Sequence, residues 1–491
     1  MPAGRKESRE TMTFYVTTAI PYVNAAPHVG HALELVQADV LARHRRLRGQ
    51  PVRFLTGTDD NALKNVTAAR AAGVDVRTFV DANAARFAAL REPLDLSFDD
   101  FIRTGVDDRH RYGVARLWRE CATAGDFYRR GYDGLYCAGC EQFYAEAELD
   151  DGVCPEHRVA PERVREENWF FRLSRYGKEL LDVLESGRVR IEPAARRNEV
   201  LAFVRAGLAD FSVSRPAARA GGWGIPVPDD PDQVVYVWWD ALANYVTALG
   251  DSADYERWWA NSSERVHVIG KGIVRFHAVY WLALLLSAGR PLPTAVFVHD
   301  YLTVEGAKVA KSAGNAVDPV ALVDRFGVDA VRWWLLRDVA RVGDTGFTTD
   351  RLVHRANQDL ANGLGNLVNR TLTLVNRVDG EKAAALRASH GLLPAGAELC
   401  DRIDHALRRF DFRAATGALC AVVDAANRLI EAERPWEAAL SDETAHATLG
   451  TLVGTCRALA VELEPFLPGG ARRLREQLAS GGRPQPVFPR L

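Results

Sequence analysis

The 491-residue sequence predicts an α/β fold, a doubly wound parallel sheet that carries a cysteine-bearing insertion and is followed by an all-α helix bundle. Three observations carry that prediction. The chain opens strand–helix–strand with short links, the pattern from which parallel sheets are built. A cysteine-rich, charged stretch near residues 115–225 then breaks the rhythm. After about residue 355 strand signals vanish, and amphipathic segments such as ALRRFDFRAATGALCAVVDAANRLIEAE continue almost to the end.

The elements follow in order. TFYVTTAI is β-branched and aromatic, the composition of a buried first strand. PYVNAAP makes a turn, with Pro27 suited to a first helical turn. Val29, Leu33, Val36 and Val40 then recur at helical spacing until Gly49 closes the helix. PVRFLTGTD reads as a second strand running into a polar loop, and an alanine-rich helix lies near 62–72. Strand signals return at QVVYVWW and at RVHVIG, the latter followed by the apolar helix IVRFHAVYWLALLLSAG. AVFVHDYLTV with a turn at Glu305 and Gly306 reads as strand and hairpin leading into the loop AKVAKSAGN. The expected division is 1–114 and 226–300 for the two halves of the sheet domain, with 115–225 as the insertion. Residues 301–355 form a connecting region that carries the loop, and 356–491 form the bundle.

Composition narrows the function. Hydrophobic residues make up 47% and charged residues 26%, as in an ordinary globular protein. No apolar run approaches the ~20 residues of a membrane helix and no signal-peptide core opens the chain, so the expected location is the cytoplasm. A formal net charge of −2 argues against a general nucleic-acid coat but permits a local basic groove. Only seven of the 62 basic residues are lysine. Four of these, Lys64, Lys271, Lys308 and Lys311, sit beside motifs, where a compact ammonium is not replaceable by a guanidinium fork.

Four constellations carry chemistry. His28 and His31, with Gly30 between them, lie three apart at a helix start, where free N–H groups and the macrodipole attract anions. Two imidazoles there can donate to phosphate oxygens as their charge grows, though capping or packing would use the same residues. Lys308 and Lys311 lie on a glycine-containing loop and can close over a pyrophosphate leaving group; alone, they read as a solvated pair. Cys137, Cys140, Cys154 and His157 form C-x2-C and C-x2-H pairs thirteen residues apart, a donor set for one tetrahedral, structural zinc. A disulfide is disfavoured in a cytosolic chain, and Cys121, Cys400, Cys420 and Cys456 read as scattered core residues. Finally, Asn366, Asn369 and Arg370 share a helix edge, and Trp436 follows a Pro435 turn.

HVGH after the first strand and AKVAKSAGN near the far end of the α/β unit resemble the HIGH and KMSKS motifs of class I aminoacyl-tRNA synthetases. Val309 and Ala310 depart from the second motif, but both lysines remain. From Phe14 to about Trp436 the chain is similar to the methionyl family in particular, through TTAIPYVNAAPHVGHA, TGTDD, YVWWDALANYV and VIGKGIVRFHAVYW. The resemblance implies a Rossmann-like catalytic domain with a zinc knuckle in its connective insertion and an anticodon-binding helical domain. It implies that Ala19, Ile20, Tyr22, Trp238, Ala241, Leu242, Tyr245, Ile273 and His277 contact methionine, and that Asp59 holds its α-ammonium. His28, Gly30, His31, Lys308 and Lys311 would bind ATP, and Asn366, Arg370 and Trp436 would read the anticodon. An adaptable aromatic and aliphatic cavity suits a thioether, with one polar atom from His277 or Tyr22 near the sulfur; plain core packing is the alternative. Asn61 stands where the family commonly has histidine, an amide that hydrogen-bonds but carries no charge.

The implied reaction is ATP- and magnesium-dependent activation of L-methionine to an adenylate, then transfer to tRNA(Met). Positioning and charge stabilisation suffice, because the carboxylate nucleophile is already ionised. The insertion is too short for the editing domain of the isoleucyl, valyl and leucyl relatives, and no dimerising domain follows the bundle, so a monomer is expected. Three rivals remain: a cysteinyl enzyme, a specialised methionine-activating copy with a resistance or biosynthetic role, and an inactive tRNA-binding module.

Overall fold

The computed structural model describes residues 12–137, 142–155, 158–250, 252–304, 306–308, 316–378, 380–437, 443–480 and 483–491. Residues up to 27, 48–89 and 98–299 make one compact unit, and 28–47, 90–97 and 300–491 make a second.

The first unit is built on a parallel sheet. Its strands are β1 (Phe14–Thr18), β2 (Val52–Thr58), β3 (Asp100–Arg103), β7 (Arg190–Glu192), β12 (Glu264–Gly270) and β13 (Ala295–His299), in the spatial order β3-β2-β1-β12-β13-β7. Every pairing is parallel, and Val16 stands opposite Phe54 on one side and Val266 on the other. All five residues of β1 are buried, as expected of a central strand in a sheet covered on both faces. The edge strand β7 arises within the 115–225 segment that the sequence assigns to the insertion. The remainder of that segment forms an antiparallel sheet of β4 (Phe127–Cys137), β5 (Gln142–Tyr144), β6 (Glu162–Phe171) and β8 (Phe211–Ser212). A small third sheet joins β9 (Ser214–Pro216), β10 (Pro226–Val227) and β11 (Asp230–Val235).

One strand expectation fails in part. QVVYVWW is extended only as far as Val235, and Val237–Thr247 is a helix whose eleven residues are all buried. A helix buried on every side has no polar face, so its sequence carries no 3.6-residue alternation to distinguish it from a core strand.

The second unit contains the helix Val29–Leu47, whose positions Val29, Leu33, Val36 and Val40 are buried as their spacing predicts. Its membership in this unit, rather than in the sheet unit expected for 1–114, has a polar cause. Fully buried Arg332 donates to Asp39 Oδ2 at 2.8 Å and to the carbonyls of Leu94, Pro465 and Phe466. Asp39 also accepts from Arg43 and Ser97, and His44 meets Asp404 at 2.8 Å. The strand β14 (Leu302–Val304) pairs antiparallel with β15 (Ala307–Lys308), with Gly306 between them at φ +80°. It runs parallel with β16 (Thr345–Gly346), and from there the described residues contain helices and no further strand. Among the described residues no helix is long and apolar enough to cross a membrane.

Candidate active site

In the second unit, His28 immediately precedes the Val29–Leu47 helix, and His31 lies in its first turn. Gly30 N–H donates to His28 Nδ1 and His28 N–H donates to His31 Nδ1, both at 3.1 Å. A nitrogen that accepts carries no proton, so each neutral ring is protonated on Nε2, the atom that can donate to a phosphate oxygen. The rings lie over one another with centroids 3.9 Å apart. Gly30 serves a purpose the sequence did not give: a Cβ would stand 2.9 Å from His28 Cε1, so the glycine lets the imidazole lie where it does. Lys308 ends the β14–β15 hairpin opposite Thr303, while Lys311 falls outside the described residues.

In the first unit, β1 and β2 deliver the other cluster. Gly57 of β2 faces Ile102 of β3, and a Cβ at Gly57 would lie 2.1 Å from the Ile102 carbonyl oxygen, so TGTDD needs that glycine. Just past the strand, buried Asp59 bridges Tyr22, and its N–H donates to Pro21 O at 2.9 Å. Lys64 lies 5.2 Å from the centre of the Tyr22 ring. The fully buried helix contributes Trp238, Ala241, Leu242 and Tyr245. Ala19, Ile20, Tyr22 and Ile273 pack on the extensive core cluster that also holds Trp238, Leu242 and Tyr245.

The polar groups in this cluster are ordered. Ile273 O lies 2.9 Å from His277 Nδ1, which therefore carries the proton, so His277 Nε2 accepts from the Tyr245 hydroxyl at 2.6 Å. Burial pushes the imidazole down to about 4, so His277 is neutral near pH 7. Both His277 nitrogens are thus engaged, which leaves Tyr22 as the sequence-derived choice for a sulfur contact. His277 lies in a π-helical turn, Phe276–Tyr280, of the kind often found at functional sites.

Sequence reasoning missed three residues. Phe276 stacks on Trp238 with centroids 3.7 Å apart, and its place beside His277 was the available signal. Asn61 donates to buried Asp240 at 2.7 Å, and Asp240 in turn meets buried His110. No local pattern joins residues 61, 110 and 240.

Cys137 ends β4 and Cys154 follows β5, both buried, with Cys154 Sγ 3.5 Å from the Tyr144 hydroxyl. Cys140 and His157 lie outside the described residues. Of the other thiols, Cys121 and Cys456 are buried, whereas Cys400 and Cys420 are only partly so. In the second unit, the Arg370 guanidinium lies 5.6 Å from the centre of the Trp436 ring, although 66 residues separate them. Trp436 is 38% exposed, so it is not a core tryptophan. Asn366 and Arg370 lie on the Asn366–Val375 helix.

The family model described as tRNA synthetases class I (M) matches residues 14–164 and 158–372. A methionine–tRNA ligase of Brucella suis is 40% identical over 97% of this chain and 98% of its own length. One of Mycobacterium bovis is 41% identical over 95% and 92%. The structure of Mycobacterium tuberculosis methionyl-tRNA synthetase in complex with methionyl-adenylate superposes with a TM-score of 0.87 at 38% identity, covering 98% of this chain and 100% of that one. The apo form of that enzyme gives 0.79 at 35% identity, covering 99% of each.

Proposed function

The chain belongs to the methionyl family of class I tRNA synthetases and is a methionine–tRNA ligase, and from that premise we propose how its own residues divide the work. The enzyme activates L-methionine with ATP and transfers it to tRNA(Met). The methionine side chain occupies the cluster of Ala19, Ile20, Tyr22, Trp238, Ala241, Leu242, Tyr245, Ile273 and His277. Asp59 takes the α-ammonium. The observation that carries this assignment is the neutral, doubly hydrogen-bonded His277 among aromatic rings, with buried Asp59 paired to Tyr22 through the backbone. An apolar wall with no net charge suits a thioether, and a buried carboxylate beyond it suits an ammonium.

Activation is an attack by the substrate carboxylate on the α-phosphorus of magnesium-bound ATP, with pyrophosphate leaving. His28 and His31 donate from Nε2 to the phosphate oxygens, Gly30 admits the folded His28 ring, and Lys308 and Lys311 neutralise the pyrophosphate. The terminal adenosine 2′-hydroxyl then attacks the adenylate carbonyl, forming the ester as the mixed-anhydride C–O bond breaks and AMP leaves with the hydroxyl proton taken up by its phosphate or by water. Asn366, Arg370 and Trp436 read the anticodon, with the exposed indole offering a face on which an unstacked base can rest.

The donor set Cys137, Cys140, Cys154 and His157 holds one structural zinc. Two buried thiols around the β4–β5 hairpin fit that role, since a closed tetrahedral site stabilises a fold and leaves no position for substrate. Residues 1–114 with 226–300 serve catalysis, 115–225 form the connective insertion, 301–355 carry the lysine loop, and 356–491 bind the anticodon. The enzyme works as a monomer in the cytoplasm.

The deciding experiment is ATP–pyrophosphate exchange with each of the twenty amino acids, without tRNA. Exchange with methionine alone is expected; exchange with none, or faster exchange with another amino acid, would overturn the assignment of the pocket.

A further inference from the structure

Asn61, the amide that stands where the family resemblance leads to an expected histidine, is tied into a buried polar network. Its backbone N–H donates to Asp59 Oδ1 at 3.2 Å. Its side-chain amide donates to Thr104 O at 3.2 Å and to Asp240 Oδ2 at 2.7 Å. The other Asp240 oxygen meets His110 Nε2, and His110 Nδ1 lies 2.7 Å from Thr247 Oγ1. Asp240, His110 and Thr247 are each at most 3% exposed. We propose that Asn61, clamped by the His110–Asp240 pair, is the positioning residue that fixes the Asp59 carboxylate for the α-ammonium of methionine.

The argument rests on the reading that Asp59 binds that ammonium, and proceeds from geometry. A carboxylate that must meet a cation has to keep one oxygen turned towards the ligand and the other held. Asp59 Oδ1 is held by the Asn61 peptide, and the Asn65 amide grips the Asp59 carbonyl at 2.9 Å. The carbonyl of the same peptide, Asp60 O, accepts from Asn65 at 3.0 Å and Trp223 at 2.9 Å, and the Asn61 side chain fixes the peptide from its other end. Two amide hydrogens on one planar group reach a backbone carbonyl and a buried carboxylate at once, which sets the residue's orientation. Asp240 can serve as the anchor because it lies on the helix that also carries Trp238, Ala241, Leu242 and Tyr245. The helix of the apolar pocket therefore serves as the fixed support to which the ammonium end of the site is tied. An imidazole at position 61 would present one ring nitrogen to either partner, and no second donor from the same atom.

The test separates ammonium recognition from the apolar pocket. 4-(Methylthio)butanoate, methionine without its amino group, serves as a competitive inhibitor that reports on the pocket alone. N61A is expected to raise KM for methionine in pyrophosphate exchange by about tenfold or more, the scale of one charge-assisted hydrogen bond, with kcat little changed. Its Ki for the deamino compound should match the wild type. H110Q should shift KM in the same direction, and N61A/H110Q should be no worse than N61A, because both substitutions break one chain. If N61A does not fold, N61S carries the same readout. A wild-type KM in N61A beside a large increase in D59N overturns the positioning role and leaves Asp59 in place. An unchanged KM in D59N removes the carboxylate reading and the proposal with it. Parallel increases in KM and in Ki for the deamino compound identify a merely structural role and also overturn it.

Discussion

Two residues decide more than their size suggests. Gly57 lies under the Ile102 carbonyl so closely that even a methyl group has no room, and the obstacle is backbone rather than a flexible side chain. Gly57→Ala must therefore push β2 away from β3 and break parallel ladder bonds; a loss of at least ~3 kcal/mol in urea unfolding, or failure to fold, is expected. A melting curve like the wild type's would show that the two strands separate at no cost. His277 makes a subtler prediction. Its folded value of about 4 lies below the ordinary 6.5 because burial penalises the imidazolium. Between those values the unfolded chain binds the proton and the folded chain does not, so stability rises with pH across this window. The contribution is complete above pH 6.5 and declines as pH falls towards 4, by up to about 3 kcal/mol. Urea titrations at pH 7 and pH 5 should differ in that direction, and His277→Phe should reduce the difference without abolishing it, because burial also holds His267 well below its ordinary value. Neither property was legible in the sequence. TGTDD and RFHAVYW announced where chemistry would be, but the Ile102 carbonyl and the Tyr245 hydroxyl come from distant segments. Of the residues that sequence reasoning missed, only Phe276 was within local reach.

At the scale of elements, legibility followed from how each one is buried. The strand β1 and the helix Val29–Leu47 were readable because a central strand is uniformly apolar and an amphipathic helix keeps its stripe. The edge strand Arg190–Glu192 is three residues long and two of them are charged, so it gave no strand signal. The π-helical stretch Ala356–Gly365, which runs directly into the Asn366–Val375 helix, departs from the 3.6-residue period that sequence reading assumes. Buried Asp39 and Arg332 likewise broke the expectation that charges stay outside. Burial alone would raise the Asp39 carboxyl, but Arg332 and Arg43 hold it below its ordinary value. Arg332→Met would leave a buried carboxylate without its main partner, at a cost of ~3–5 kcal/mol. Because the depressed value supplies stability above the unfolded value near 3.9 and loses it as pH falls through the folded one, the variant should also acid-unfold at a higher pH. Circular dichroism from pH 6 to pH 2 tests both effects, and coincident curves would reduce Arg332 to a spectator. The proposed zinc site at Cys137, Cys140, Cys154 and His157 makes a prediction for the insertion. One zinc per chain is expected by elemental analysis, and its removal by a chelator should lower the melting temperature while leaving the residual exchange activity methionine-specific. Protein purified fully active with no metal would contradict the assignment.

For the whole molecule, the proposed division of labour separates two measurable steps. Methionine activation needs the pocket, Asp59, the histidine pair and the lysine loop, and no tRNA enters it. Under that division charging adds the proposed anticodon contacts of Asn366, Arg370 and Trp436. Arg370 lies over the Trp436 ring and 3.7 Å from Glu431, a carboxylate it can exchange for a base edge or a phosphate when tRNA arrives. Trp436 follows Arg434, whose left-handed φ of +43° ends the Phe412–Glu433 helix and turns the chain towards Pro435. The Trp436 indole is therefore presented at a helix end rather than within a packed face, with a cation already against it. Replacing either residue with alanine removes a stacking or charge-assisted contact worth ~1–3 kcal/mol. In kcat/KM for tRNA that is roughly a tenfold to hundredfold loss, with pyrophosphate exchange unchanged. The double variant should lose less than the product of the two single losses, because the residues touch and each supports the other. Equal losses in exchange and in charging would place Arg370 and Trp436 in the stability of the fold, and the anticodon would then have to be read elsewhere on the chain.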